Sequence, residues 1–153
     1  MIDVLKIRSE IFTSNTYLIT SSQKEEVFLI DCGAFDEVIE HLPSNAILKG
    51  IFLTHYHYDH IYYIEKWIEM YPDVKVYCSL ITKEGVENPK RNLSFYHDDP
   101  IAFMIPLFVE IKEHICVSLF NENIKLHVIE TEGHCEGSLS FKVDEFIFTG
   151  DAL

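Results

Sequence analysis

The feature that most constrains this chain is the stretch Thr54-His55-Tyr56-His57-Tyr58-Asp59-His60, with the apolar run Gly50-Ile51-Phe52-Leu53 in front of it. The apolar run has no helical period and a strand's length, so it reads as a buried strand. Alternate residues of an extended segment share a face, which points His55 and His57 the same way. Asp59 and His60 follow at a turn that can swing two more donors toward the same volume. Three imidazoles and a carboxylate so closely spaced suit zinc, and equally iron, manganese or nickel. The chain must therefore fold so that the end of one strand opens onto a metal-sized space.

The rest of the sequence alternates strand and helix. Val4–Ile7, Asn15–Thr20 and Val27–Ile30 are rich in β-branched and aromatic residues, and the polar segment 21–26 between the last two is a turn. Asp31-Cys32-Gly33 ends the third strand, Asp36–Leu42 reads as a helix with Asp36 as its N-cap, and Asp59–Tyr71 reads as one helix stopped by Pro72. Val74–Cys78 is a further strand. Residues 83–100 read as a long surface loop around a helical turn, in which His97-Asp98-Asp99 are turn residues. Met104–Val109, Ile115–Phe120, Lys125–Ile129, Leu139–Val143 and Phe146–Phe148 read as β, the last two as a hairpin. His127 is expected to face away from the candidate ligands, and His134 sits in a loop bracketed by Gly133 and Gly137. This order signals an α/β fold.

With 153 residues, 48% of them apolar, the chain is expected to form one domain, 1–153. Its net charge of −13 argues against nucleic acid and anionic membranes as partners, since both select a basic face. No apolar run approaches the roughly 18 residues that span a bilayer. The N-terminal residues lack a signal-peptide pattern, and the four cysteines are scattered without a CxxC pair. A cytoplasmic location is therefore expected. Cys135, beside His134, is expected to be a small apolar filler.

Three motifs occur in order: Thr-His-x-His-x-Asp-His at 54–60, Gly133-His134 with Gly137-Ser138, and Phe148-Thr149-Gly150-Asp151. With Asn15–Ile19, Leu29–Gly33, Asn92-Leu93-Ser94 and Ile147–Leu153 they make the chain resemble the metallo-β-lactamase superfamily, most of all its glyoxalase II-like (hydroxyacylglutathione hydrolase-like) hydrolases. The resemblance implies an αββα sandwich, here with its second half shortened. It implies that His55, His57 and His134 hold one metal, that Asp59 and His60 hold a second, and that Asp151 bridges them. It implies zinc, one or two ions per chain, with iron or manganese as substitutes. A metal-bound hydroxide would attack a small thioester or ester, Asp59 would receive the proton, and Asp31 would orient a ligand histidine.

The family usually continues past Gly-Asp and supplies a further metal-binding histidine there, whereas this sequence stops at Leu153. The second sheet is accordingly expected to have about three strands and an uncovered apolar face, and the chain to form a homodimer through residues 124–153. Tyr62 and Tyr63 stand where the family has small residues, and are expected to narrow the substrate approach or pack against a partner. Two other functions fit the same motifs: a non-catalytic metal-binding domain, and a mononuclear iron dioxygenase acting on persulfides.

Overall fold

The structure is a computed structural model that describes residues 1–9, 12–120 and 124–153. Its first sheet begins as an antiparallel meander, β1 (Ile2–Arg8), β2 (Asn15–Ser21) and β3 (Lys24–Ile30). Three parallel strands continue it in sequence order: β4 (Ile47–Phe52), β5 (Lys75–Cys78) and β6 (Phe108–Glu110). Parallel neighbours require crossovers. Here α1 (Asp36–His41) leads to β4, α2 (Tyr58–Ile61) and α3 (Ile64–Met70) lead to β5, and α4 (Leu80–Val86) with a 3₁₀ turn at Ser94–His97 leads to β6. The second sheet is antiparallel, with β7 (Cys116–Leu119), β8 (Ile124–Glu130), β9 (Leu139–Val143) and β10 (Phe146–Phe148) in the order β10-β9-β8-β7.

The apolar runs of β3 and β4 carry hydrophobic side chains on both faces because both faces are covered. Val27, Leu29, Ile51 and Leu53 pack toward the helices, against Val38, Ile64 and Trp67. Phe28, Ile30 and Phe52 point the other way, against Leu126, Val128, Phe141 and Phe148 of the second sheet. Fully burying each such side chain stabilises the fold by about 1.5–3 kcal/mol. Trp67 is the largest fully buried side chain, and its indole N–H donates to the Ala34 carbonyl at 3.2 Å. The two sheets and one helical layer are the mixed α/β architecture that the sequence implies.

Several local expectations are corrected. Asp36 does not cap α1: Phe35 holds the N-cap position, and no side chain bonds there. The expected helix 59–71 is two helices. Cys32 interrupts it from outside, its N–H donating to the His60 carbonyl at 2.8 Å and its carbonyl accepting from the Tyr63 N–H at 3.1 Å. Gly33 permits this approach, since a Cβ there would lie 2.0 Å from the Asp59 carbonyl oxygen. The segment 83–100 is less of a surface loop than expected. It starts inside α4, and its buried Asn92 donates to the carbonyls of Gly85, Val86 and Ile101 while Ser94 Oγ accepts from the Ile101 N–H. The strand expected from Met104 begins only at Phe108.

The second sheet has four strands, not three, and its outer face is polar. Cys116, Ser118, Lys125, His127 and Lys142 are exposed there, with Ile147 the one large exposed apolar residue among the described residues of these strands. The expected uncovered apolar face is therefore absent. His127 lies exposed on this outer face, away from the candidate ligands, as expected.

Candidate metal centre

β3, β4 and β5 run parallel, so their carboxyl ends open at one edge of the sheet, the usual place for a ligand site in such folds. Asp31 follows β3, and Thr54 and His55 follow β4. The second sheet closes on the same edge through the β8–β9 loop, which carries His134, and through the end of β10, which leads to Asp151. The Leu139 N–H donates to the Thr54 carbonyl at 2.8 Å and fastens the two sheets together at that point. Gly150, at φ +54°, lies against Thr54, where a Cβ would come 2.5 Å from Oγ1.

The six residues expected to hold metal converge in two overlapping groups. His55, His57, His134 and Asp151 form one, and Asp59, His60 and Asp151 the other, the candidate ligand atoms of each lying within 4.8 Å of one another. His57 Nδ1 is 2.9 Å from His134 Nε2. Asp151 lies between the groups, with one oxygen 3.2 Å from His60 Nε2 and the other 3.3 Å from His134 Nε2 and 3.7 Å from His55 Nε2. No cysteine belongs to either group: Cys135 Sγ contacts Ser138 Oγ at 3.2 Å. His97-Asp98-Asp99 also lies outside them. His97 stacks on Tyr58, and Asp99 accepts from the Tyr62 hydroxyl at 2.9 Å, while Tyr63 packs on Phe35.

Behind the ligands lies a hydrogen-bond relay. Asp31, buried and at φ +58°, accepts from the Thr54 N–H at 2.8 Å with one oxygen. Its other oxygen accepts from the Thr54 hydroxyl at 2.8 Å and from His60 Nδ1 at 2.7 Å. Because the hydroxyl proton goes to Asp31, Thr54 Oγ1 is an acceptor for His55 Nδ1–H, 2.9 Å away. One carboxylate thus sets both rings with Nδ1 protonated and Nε2 turned into the site. Asp31 was legible as an orienting carboxylate. Thr54 was not, because its role depends on how β3 meets β4.

This arrangement fits a cation. His55 Nε2 is the buried side-chain nitrogen or oxygen that lacks a hydrogen-bond partner among the described residues, and the relay makes it a free lone pair. An unpaired buried acceptor is costly unless something positive completes it. Burial, aided by the nearby His60 and His57, pushes the His55 pKa down to about 2, so a proton is a poor candidate at neutral pH. Burial also lowers the pKa of His57. At His60 burial opposes charge, yet the carboxylates of Asp31, Asp151 and Asp59 raise its pKa to about 10. The hydrogen bond from His60 holds Asp151 down at about 2. The second group thus attracts positive charge, and in the first His55 and His57 are held toward the neutral form.

The sequence profile of the metallo-beta-lactamase superfamily matches residues 10–153. The chain belongs to that superfamily. Among its superfamily relatives, a probable metallo-hydrolase of Streptococcus pyogenes is 33% identical over 162 aligned positions, which cover all of this chain and 67% of the relative. A hydroxyacylglutathione hydrolase of Haemophilus ducreyi is 29% identical, over 98% of this chain and 55% of the relative. This superfamily member thus spans two thirds of the first and about half of the second. In fold it is similar to the BLEG-1 B3 metallo-beta-lactamase, with a TM-score of 0.79 at 23% identity, over 100% of this chain and 73% of that one.

Proposed function

We propose that this protein hydrolyses a small thioester or related ester with the help of one or two divalent cations, zinc foremost. The observation that carries the reading is the lone pair of His55 Nε2, buried, unpartnered and aimed at the space shared with His57, His134 and Asp151. His55, His57 and His134 would hold the first cation, Asp59 and His60 the second, and Asp151 would face both. Imidazole and carboxylate donors serve zinc, iron and manganese alike. A divalent cation there brings the pKa of a coordinated water toward about 7 and polarises a carbonyl oxygen.

The protein's own groups set the rest. Asp31 and Thr54 hold two of the rings in the productive tautomer. Asp59, with its side chain 26% exposed beside His60, would take up the proton released during hydrolysis. The relatives named hydroxyacylglutathione hydrolases suggest the substrate class, a thioester of a small thiol.

The test is elemental analysis of protein purified without added metal, followed by hydrolysis of hydroxyacylglutathione thioesters and simple esters. The expected result is bound zinc and hydrolysis that falls at least about 100-fold in His55→Ala and Asp59→Asn. Wild-type protein that binds metal but hydrolyses none of these substrates, or variants as active as wild type, would overturn the reading. A single iron with oxygen consumption on a persulfide would replace it by the dioxygenase.

A further inference from the structure

The outer face of the second sheet carries a second cluster of reactive side chains, remote from the ligand set. Cys116 on β7 lies directly opposite His127 on β8, and His127 lies opposite Lys142 on β9. The Cys116 Sγ and His127 Nδ1 are 3.0 Å apart, and both side chains are exposed. Lys125 and Lys142 flank them, and with His127 and Asp144 they line a depression of about 500 Å³. Two ammonium groups against one carboxylate make this a positive spot on a chain whose net charge is −13. The other three cysteines have no such setting. Cys32 and Cys78 are buried, and burial raises both thiols. Cys135 is half-buried beside Ser138.

We propose that Cys116, with His127 as its base, is a thiol–disulfide exchange site for small disulfides whose arms carry carboxylates, which Lys125 and Lys142 attract. His127 Nδ1 takes the thiol proton, and the Cys116 thiolate attacks one sulfur of the disulfide. A new sulfur–sulfur bond forms as the original one breaks, and the departing thiolate takes the proton back from the imidazolium. The protein thiol is oxidised to a mixed disulfide, and one half of the small disulfide is reduced to a free thiol. An exposed thiol beside a base and two cations is the environment in which thiolate chemistry is favoured. The proposal is independent of the hydrolase reading, because it uses no residue of that site.

The test uses the full chain with oxidised glutathione and, as a cationic comparison, cystamine, followed by intact-mass and peptide mass spectrometry. One glutathionyl adduct is expected, on Cys116, and none in Cys116→Ser. His127→Gln should slow the reaction roughly tenfold, because the base that takes up the thiol proton is lost. Lys125→Gln with Lys142→Gln should slow the reaction with oxidised glutathione roughly tenfold, leaving cystamine no slower. An adduct shared with Cys135, a rate indifferent to His127→Gln, or cystamine reacting as fast as oxidised glutathione would each overturn the proposal. All four substituted side chains are exposed, and the circular dichroism of each variant should match wild type.

Discussion

Thr54→Val is the sharpest probe of the relay behind the metal centre. The substitution keeps the shape of the side chain and removes its hydroxyl. Two bonds go: the one to the Asp31 carboxylate at 2.8 Å and the one from His55 Nδ1 at 2.9 Å. A hydrogen bond to a charged group contributes about 1.5–3 kcal/mol, and a buried donor left without a partner costs about 1–3 kcal/mol. Asp31 keeps two other donors, the Thr54 N–H and His60, so the lower end applies on that side. A loss of about 3 kcal/mol of stability is expected in urea unfolding of metal-free protein. His55 would also lose the bond that fixes its tautomer, and removal of such a support weakens metal binding about 10–100-fold. Competition with a chromogenic chelator measures that loss, and nitrogen NMR of the imidazoles reads the tautomer itself. Thr54→Ser, which restores the hydroxyl, should recover both binding and the Nδ1–H signal. A valine variant as stable as wild type, with equal zinc affinity and an unchanged His55 tautomer, would refute the relay.

Three further outcomes follow from other contacts. Gly33→Ala places a methyl group 2.0 Å from the Asp59 carbonyl oxygen and 2.6 Å from Ser14 Oγ, so it should destabilise the protein by at least about 3 kcal/mol in chemical denaturation and displace Asp59 and His60. In metal-free protein the two buried histidines act on opposite limbs of the stability profile. The pKa of His55 is lowered to about 2, so its contribution is complete above its ordinary value of 6.5 and is lost as pH falls below that. The pKa of His60 is raised to about 10, so its contribution is complete below 6.5 and is lost as pH rises toward 10. Urea midpoints across pH should show the acid limb flattened in His55→Gln and the alkaline limb flattened in His60→Gln; unchanged slopes would contradict both assignments. We also propose that any homodimer through residues 124–153 uses the β10 edge, where Ile147 is 59% exposed. Ile147→Lys should then convert a dimer to monomer by light scattering, and a wild-type monomer at tens of micromolar would sink the idea.

The parts of the fold legible in the sequence were those encoded by short-range pattern. The runs at Val27–Ile30 and Ile51–Leu53 have no polar side, which suits strands covered on both faces, and the structure splits each run residue by residue between helices and second sheet. His127, expected on a strand and turned from the ligands, is exposed on β8. What failed was decided by tertiary hydrogen bonds that leave no local trace. Ile61, Ile64, Trp67 and Ile68 keep one helical face across two helices, so periodicity alone could not reveal the break that Cys32 imposes. Asn92 and Ser94 have loop-like polarity but are buried, because their side chains satisfy backbone groups of α4 and of residue Ile101. The outer face of the second sheet was misjudged for a related reason. Apolar content was visible along those strands, but its direction became plain only with the register.

The candidate site shows the same division at finer scale. Spacing within residues 54–60 predisposes four donors to one region, and the structure brings His134 and Asp151 to them from the second sheet. Four donors from one strand end could collapse onto each other without support, since imidazoles 4.2–4.8 Å apart and nearby carboxylates have several ways to pair. The support comes from the segment Asp31-Cys32-Gly33. Asp31 orients His60 directly and His55 through Thr54, Cys32 holds the main chain of His60 and Tyr63, and Gly33 lets that segment approach Asp59. Three consecutive residues with unlike side chains thus act on one helix through a carboxylate, a backbone pair and a missing Cβ. A change at any of them should disturb Asp59 and His60 together while leaving His57 and His134, whose rings lie 4.7 Å apart and which take no hydrogen bond from this segment, nearer their native positions. His57 and His134 should therefore be separable by mutation from Asp59 and His60, with His55, which leans on Asp31 through Thr54, following the second set when Asp31 is changed.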